Sequence, residues 1–136
     1  MYTAPDEFVR AYYEALRRGE ALEPFFLDAE TTVKFGISEA LFGYEAVADA
    51  LREQTATTTD WTVESDHLVV DERDGVATVA DEVTMAWTDT ESGESREFDS
   101  RWSGTLHRTD RDADDSGDDD HDWAFATMHV SAPAEL

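Results

Sequence analysis

The chain has 136 residues, the size of one domain around one core. Thirty-three acidic residues against ten basic ones give a formal net charge of −23, which leaves no basic patch for phosphate and argues against a nucleic-acid partner. Cysteine is absent, which excludes disulfide and thiolate chemistry, and no apolar run is long enough to span a bilayer.

Along the chain, "PDEFVRAYYEALRRG" predicts an amphipathic helix. Pro5, Asp6 and Glu7 suit its first turn, Arg17 and Arg18 its last, and Gly19 its end. Phe8, Val9, Tyr12, Tyr13 and Leu16 recur at helical spacing. "EALEPFFLDAE" reads as a short helix or turn interrupted at Pro24, "TTVKFG" as a short strand and "ALFG" as a possible second one. "GYEAVADALREQTA" is a second long helix with Tyr44, Val47, Ala48 and Leu51 on one face. After residue 60 the pattern alternates, giving strands at about 60–71, 75–89, 95–108 and 122–131. "DERDG" and "DTESGES" are hairpin turns, and "TDRDADDSGDDDH" joins the last two strands. Helices followed by a strand meander predict an α+β domain over residues 1–136, with the helices on one face of a curved, mainly antiparallel sheet.

The acidity has its own reading. Lys34 is the one lysine beside nine arginines, and 11% of residues are aromatic. A disordered acidic chain would lack those aromatics and the periodicity. Charge this dense repels itself in dilute buffer, but at about 1 M salt the screening length falls to roughly 3 Å. The composition therefore points to a halophile that accumulates salt. "MYTAPDEFVRAYY" has neither the basic start nor the apolar core of a signal peptide, so a cytoplasmic location is expected.

The order of elements, with "YYEALRRGEALEPFF", "FGYEAVADAL" and "DWAFATMHVSAP" in corresponding places, resembles the nuclear-transport-factor-2-like (NTF2-like, cone-fold) superfamily. "G-Y-E-A-V" before a helix and "W…H-x-S" on the last strand narrow the resemblance to SnoaL-like proteins, and the acidic composition makes a halophilic archaeon the expected source. The resemblance implies a cone-shaped sheet with the N-terminal helices over its concave face, a pocket inside the cone, and a homodimer. The superfamily includes isomerases, cyclases, dehydratases and non-catalytic members, so fold alone does not give function.

Alternation places Val79, Asp81, Val83, Met85 and Trp87 on one face of their strand, and Phe98, Trp102 and Leu106 on one face of the next. With these inside, Asp81 is the one carboxylate on the interior face. A buried carboxylate is costly unless hydrogen-bonded, which makes Asp81 a candidate general base, or a structural acceptor for a tyrosine. Tyr13 is the companion catalytic candidate, with Tyr12 as the other possible donor; packing in the core is the plainer role for both. In ketosteroid isomerase, a member of the superfamily, a helix tyrosine supports an enolate and a carboxylate on the first strand moves the proton. Phe35 falls at the position of that carboxylate, which counts against steroid isomerase chemistry. "HVSAP" resembles the close of the calcium/calmodulin-dependent kinase association domain, whose pocket holds arginines. Val83, Gly104 and Val130 stand there instead, so a neutral or partly apolar ligand is expected.

The expected ligand wall is Tyr12, Phe35, Val83, Trp87, Trp102 and Met128. A small organic molecule is the expected partner, with no cofactor and no metal. Glu82, Arg101 and His129 form an alternative polar cluster on the opposite face, ion-paired at a dimer interface, or turned into the pocket by a β-bulge. On the last strand Trp123 and Phe125 oppose Met128 and Val130. Both faces are thus apolar, as a core on one side and a partner subunit on the other would require. His67 and His107 have no metal-ligand partner at a recognisable spacing. "DADDSGDDDHDW" copies the start of an EF-hand, with Gly117 at the sixth position. The twelfth position is Trp123 where calcium needs a glutamate, so the stretch at about 110–122 reads as an acidic surface insertion.

Overall fold

The computed structural model describes residues 3–109 and 121–134. Helix α1, Pro5–Arg18, opens with proline in its first turn, and the Glu7 carboxylate accepts the Ala4 N–H. It closes at Gly19, whose φ of +68° lets its N–H reach back to the carbonyls of Ala15 and Leu16. One face, Phe8, Val9, Tyr12, Tyr13 and Leu16, is buried. The Arg17 guanidinium donates to the Val63 carbonyl and ties the helix end to the sheet. Pro24 sits inside a single 3-10 turn, Glu23–Phe25. Strands β1 (Val33–Phe35) and β2 (Ala40–Phe42) form a short hairpin, and helix α2 (Tyr44–Thr57) buries Val47, Ala48 and Leu51.

The strand expected at 60–71 is two strands, β3 (Thr58–Ser65) and β4 (Val69–Arg73). Both pair antiparallel with β5 (Val76–Asp89), β3 along its second half and β4 along its first. Strands β6 (Ser95–Arg108) and β7 (Trp123–Ser131) complete the meander. The turn between β4 and β5 places Asp74 and Gly75 both at positive φ, the conformation that a two-residue hairpin loop demands. The sheet runs β2-β1-β7-β6-β5-β3, with β4 also on β5; β1 and β7 are parallel and the other pairs antiparallel. Among the described residues the architecture is α+β: two helices against a curved, unclosed seven-stranded sheet. Among the described residues no helix is long and apolar enough to cross a membrane.

Two bulges shape the inner face. On β3 the register shifts between Thr59 and Thr62, with Asp60 at φ +57°, a left-handed conformation that aspartate tolerates. On β7 the pairing steps from Thr105 with Thr127 to Leu106 with Phe125, which leaves Ala126 as the extra residue. The second bulge resolves the two apolar faces expected for β7. Phe125 meets Phe8 and Tyr12 of α1, and Met128 lies beside Val9 and Tyr13 of the same helix. Both sets face inward, one on each side of the bulge, so β7 needs no partner subunit to cover a second apolar face.

Candidate functional site

A cavity of about 440 Å³ opens between α1, α2, the β1–β2 turn and the inner face of the sheet. Its apolar wall includes Tyr12, Leu16, Trp61, Met85, Trp87 and Trp102, and Glu53, Gln54, Thr57 and Thr58 add polar groups from the end of α2 and the start of β3. The β3 bulge sets Trp61 over Trp87, with ring centroids 4.6 Å apart and planes 20° apart, and Phe98 continues the stack on the far side of Trp87. Trp102 stands edge-on to Tyr12 and Tyr13, and its indole N–H donates to the Ser100 hydroxyl. The volume suits a molecule of a few fused rings.

The charged groups on this wall include a pair that sequence reasoning missed. Lys34 is buried, and its Nζ lies 2.7 Å from Glu39 Oε2. In β1, Lys34 pairs with Met128 and shares the inner face. The hairpin turn is closed by the Gly36 N–H donating to the Glu39 carbonyl, and the Glu39 side chain folds back over Gly36. A Cβ on residue 36 would stand 2.7 Å from Glu39 Cγ and Oε2, so the glycine is what lets the carboxylate reach Lys34. The readable signal was the chain's one lysine in a strand next to an expected pocket.

Asp81 and Tyr13 are brought together, with the hydroxyl donating to Oδ2 at 2.9 Å. Asp81 also accepts from Ser65 Oγ at 2.6 Å and from the His67 N–H at 2.9 Å. The last bond explains the split between β3 and β4. The Asp66 N–H still bonds the Glu82 carbonyl, but the next N–H turns to the Asp81 side chain. Asp81 therefore staples an interrupted strand, and it lies off the wall of the 440 Å³ cavity.

Of the expected ligand wall, Tyr12, Trp87 and Trp102 line the cavity. Phe35 does not; it packs edge-on against Phe42 and His129 on the outer face, because strand alternation gives the inner position to Lys34. Val83 and Met128 are buried elsewhere in the core. Glu82 and Arg101 are direct cross-strand partners, and with His129 they line a second depression whose wall also includes His67 and Asp81. The β7 bulge turns Trp123 and Phe125 inward and leaves His129 outside, so it does not carry this cluster into the cavity. Most of the acidic stretch lies outside the described residues. Trp123, at the calcium loop's glutamate position, is fully buried, and its indole N–H donates to the Thr3 carbonyl.

Burial raises the Tyr12 hydroxyl well above the usual tyrosine range, and the Glu39 charge raises it further. Tyr13 is raised by burial first, then by the charge and hydrogen bond of Asp81. Unfolded tyrosine ionises near pH 10, so the stability from these two groups is complete below about pH 10 and declines as pH climbs toward the folded-state values. In an alkaline titration, Tyr12 and Tyr13 are expected to ionise only as far-ultraviolet dichroism is lost. Complete tyrosinate absorbance with the dichroism intact would contradict this.

Solved structures share the architecture. A candidate dehydratase of the NTF2-like family from Streptomyces avermitilis superposes with a TM-score of 0.77 at 16% identity, covering 96% of this chain and 94% of that one. An NTF2-like superfamily protein from Salmonella enterica gives 0.75 at 15% identity, covering 96% and 89%. A ketosteroid isomerase-like protein from Erwinia carotovora gives 0.71 at 17%, covering 96% and 94%. At these identities the likeness is one of fold. No curated protein sequence is significantly similar to the chain. The model of the SnoaL-like domain matches residues 6–135, nearly the whole chain, and on that match the protein belongs to the SnoaL-like domain family.

Proposed function

We propose that the protein binds a small, mostly apolar organic molecule in the cone cavity, its rings packed among Trp61, Met85, Trp87 and Trp102. The observation that carries this reading is the open cavity of about 440 Å³ walled by three tryptophans, Tyr12 and Met85. Concave, largely apolar sites with few polar groups are the usual form of small-molecule sites. An interaction module with a cone filled by its own side chains is disfavoured by that open volume.

The alternative is an isomerase, cyclase or dehydratase with Asp81 as general base and Tyr13 or Tyr12 as donor. The Tyr13–Asp81 contact favours it. Three donors already occupy the carboxylate, and its position off the cavity wall weighs against it.

Titration with 2-isopropylnaphthalene in molar salt, followed by tryptophan fluorescence, tests the binding reading. Saturable quenching is expected, weakened about tenfold in Trp87→Ala, since that variant removes a wall ring together with the stack that seats Trp61, a loss on the order of 1–2 kcal/mol. Absence of saturable binding for any naphthalene-sized probe would sink the proposal.

A further inference from the structure

Lys34 sits in an unusual place for the one lysine of a strongly acidic chain. Its side chain is 7% exposed, on the cavity wall. An ammonium has three N–H donors and no acceptor. Glu39 Oε2 takes one of them at 2.7 Å, and among the described residues no other acceptor is bonded to it. Buried donors are normally matched by acceptors. Here the protein supplies one acceptor for three donors, and the other polar residues of the wall, Ser38, Glu53, Gln54, Thr57 and Thr58, are not bonded to the ammonium. Glu39, about a third exposed, cancels the charge and leaves the remaining donors to the cavity.

We propose that Lys34, oriented by Glu39, is the polar recognition group of this pocket and takes the carbonyl oxygen of a neutral, flat, ring-containing ligand. The inference rests on the binding reading above and adds the chemistry of the ligand. A neutral acceptor fits better than an anion. The Lys34–Glu39 pair is already balanced, so an anion would bring a net negative charge into an apolar cavity of a chain carrying −23. Gly36 makes the charge preference adjustable. In Gly36→Ala the three atoms nearest the new methyl all belong to the flexible Glu39 side chain, which must shift from its seat on Lys34 while both charged residues remain.

The test compares three probes of one shape by fluorescence titration in molar salt: 2-acetonaphthone, 2-isopropylnaphthalene and 2-naphthoate. In the wild type the ketone is expected to bind about tenfold more tightly than the hydrocarbon, the usual gain from a hydrogen bond to a charged donor. Lys34→Met should remove that preference while leaving the hydrocarbon's affinity within about threefold, since a linear apolar side chain of similar length replaces the lysine. Gly36→Ala should keep the ketone preference and raise naphthoate affinity about tenfold, by freeing Lys34 from its counter-charge. Equal binding of ketone and hydrocarbon in the wild type would overturn the role of Lys34 while leaving the cavity reading intact. Naphthoate as the tightest wild-type probe would overturn the neutral-ligand claim. Failure of all three probes would bring down both readings together. If Lys34→Met does not fold, the wild-type ranking and Gly36→Ala decide the matter, and an unchanged naphthoate affinity in Gly36→Ala counts against the proposal.

Discussion

Replacing Asp81 by alanine is expected to destabilise the fold by about 3 kcal/mol, and Asp81→Asn by only about 1 kcal/mol, because an orphaned buried donor costs roughly 1–3 kcal/mol whereas a matched hydrogen bond contributes about 1. The alanine variant strands the Tyr13 hydroxyl in the core and removes acceptors from Ser65 and the His67 N–H. Asparagine keeps an oxygen toward His67, and its amide can donate to the two hydroxyls once they rotate. Urea unfolding midpoints in molar salt measure both variants. Near-equal stabilities would mean that the β3–β4 break holds itself. Ligand titration of Asp81→Asn separates the staple from a general base. A staple leaves affinity and any turnover unchanged, whereas a base loses turnover in a variant that still folds.

Gly104→Ala is expected to cost about 3 kcal/mol, at the upper end of what overpacking usually does. A Cβ there would stand 2.6 Å from the Thr127 carbonyl oxygen, which is backbone held in the β7 ladder beside the bulge. Gly36→Ala makes an equally close contact, but with a side chain that can leave. The same added methyl therefore acts in two ways: at residue 104 the loss is steric, whereas at residue 36 the clash is relieved but the buried Lys34 loses its carboxylate, at a cost on the order of 1–3 kcal/mol. In the Lys34→Met background Gly36→Ala should then be nearly neutral while Gly104→Ala keeps its full cost; equal losses there would show that the β7 bulge yields as readily as a side chain.

The long uninterrupted strands were legible. Alternation put Asp81, Val83, Met85 and Trp87 inside on β5, and Trp102 and Leu106 inside on β6, because their ladder keeps one register. It failed where the ladder is interrupted or too short to show a period. On β7 the extra Ala126 gave the look of two apolar faces. On β1, three residues carry too little alternation to choose between Lys34 and Phe35, and lysine is ordinarily a surface residue. The β3–β4 break was hidden because its cause is a side-chain acceptor on another strand, a tertiary contact that no local pattern records. Of the site, the aromatic wall was partly foreseen and the ion pair was not. A lone lysine reads as compositional residue until the fold shows that it is buried.

The β7 bulge also bears on how this chain is compared with distant relatives. Strand β7 carries one residue to spare. A relative lacking Ala126 would run an unbroken ladder with the same side chains inside, Phe125 followed directly by the step to Met128. A deletion at Met128 is different in kind: it draws His129 into the inner position opposite Gly104 and sends Val130 outward. At about 15% identity, where gaps are placed by pattern, an alignment that opens its gap two residues late therefore puts an imidazole where a thioether packs under α1 and takes Val130 off the cavity wall.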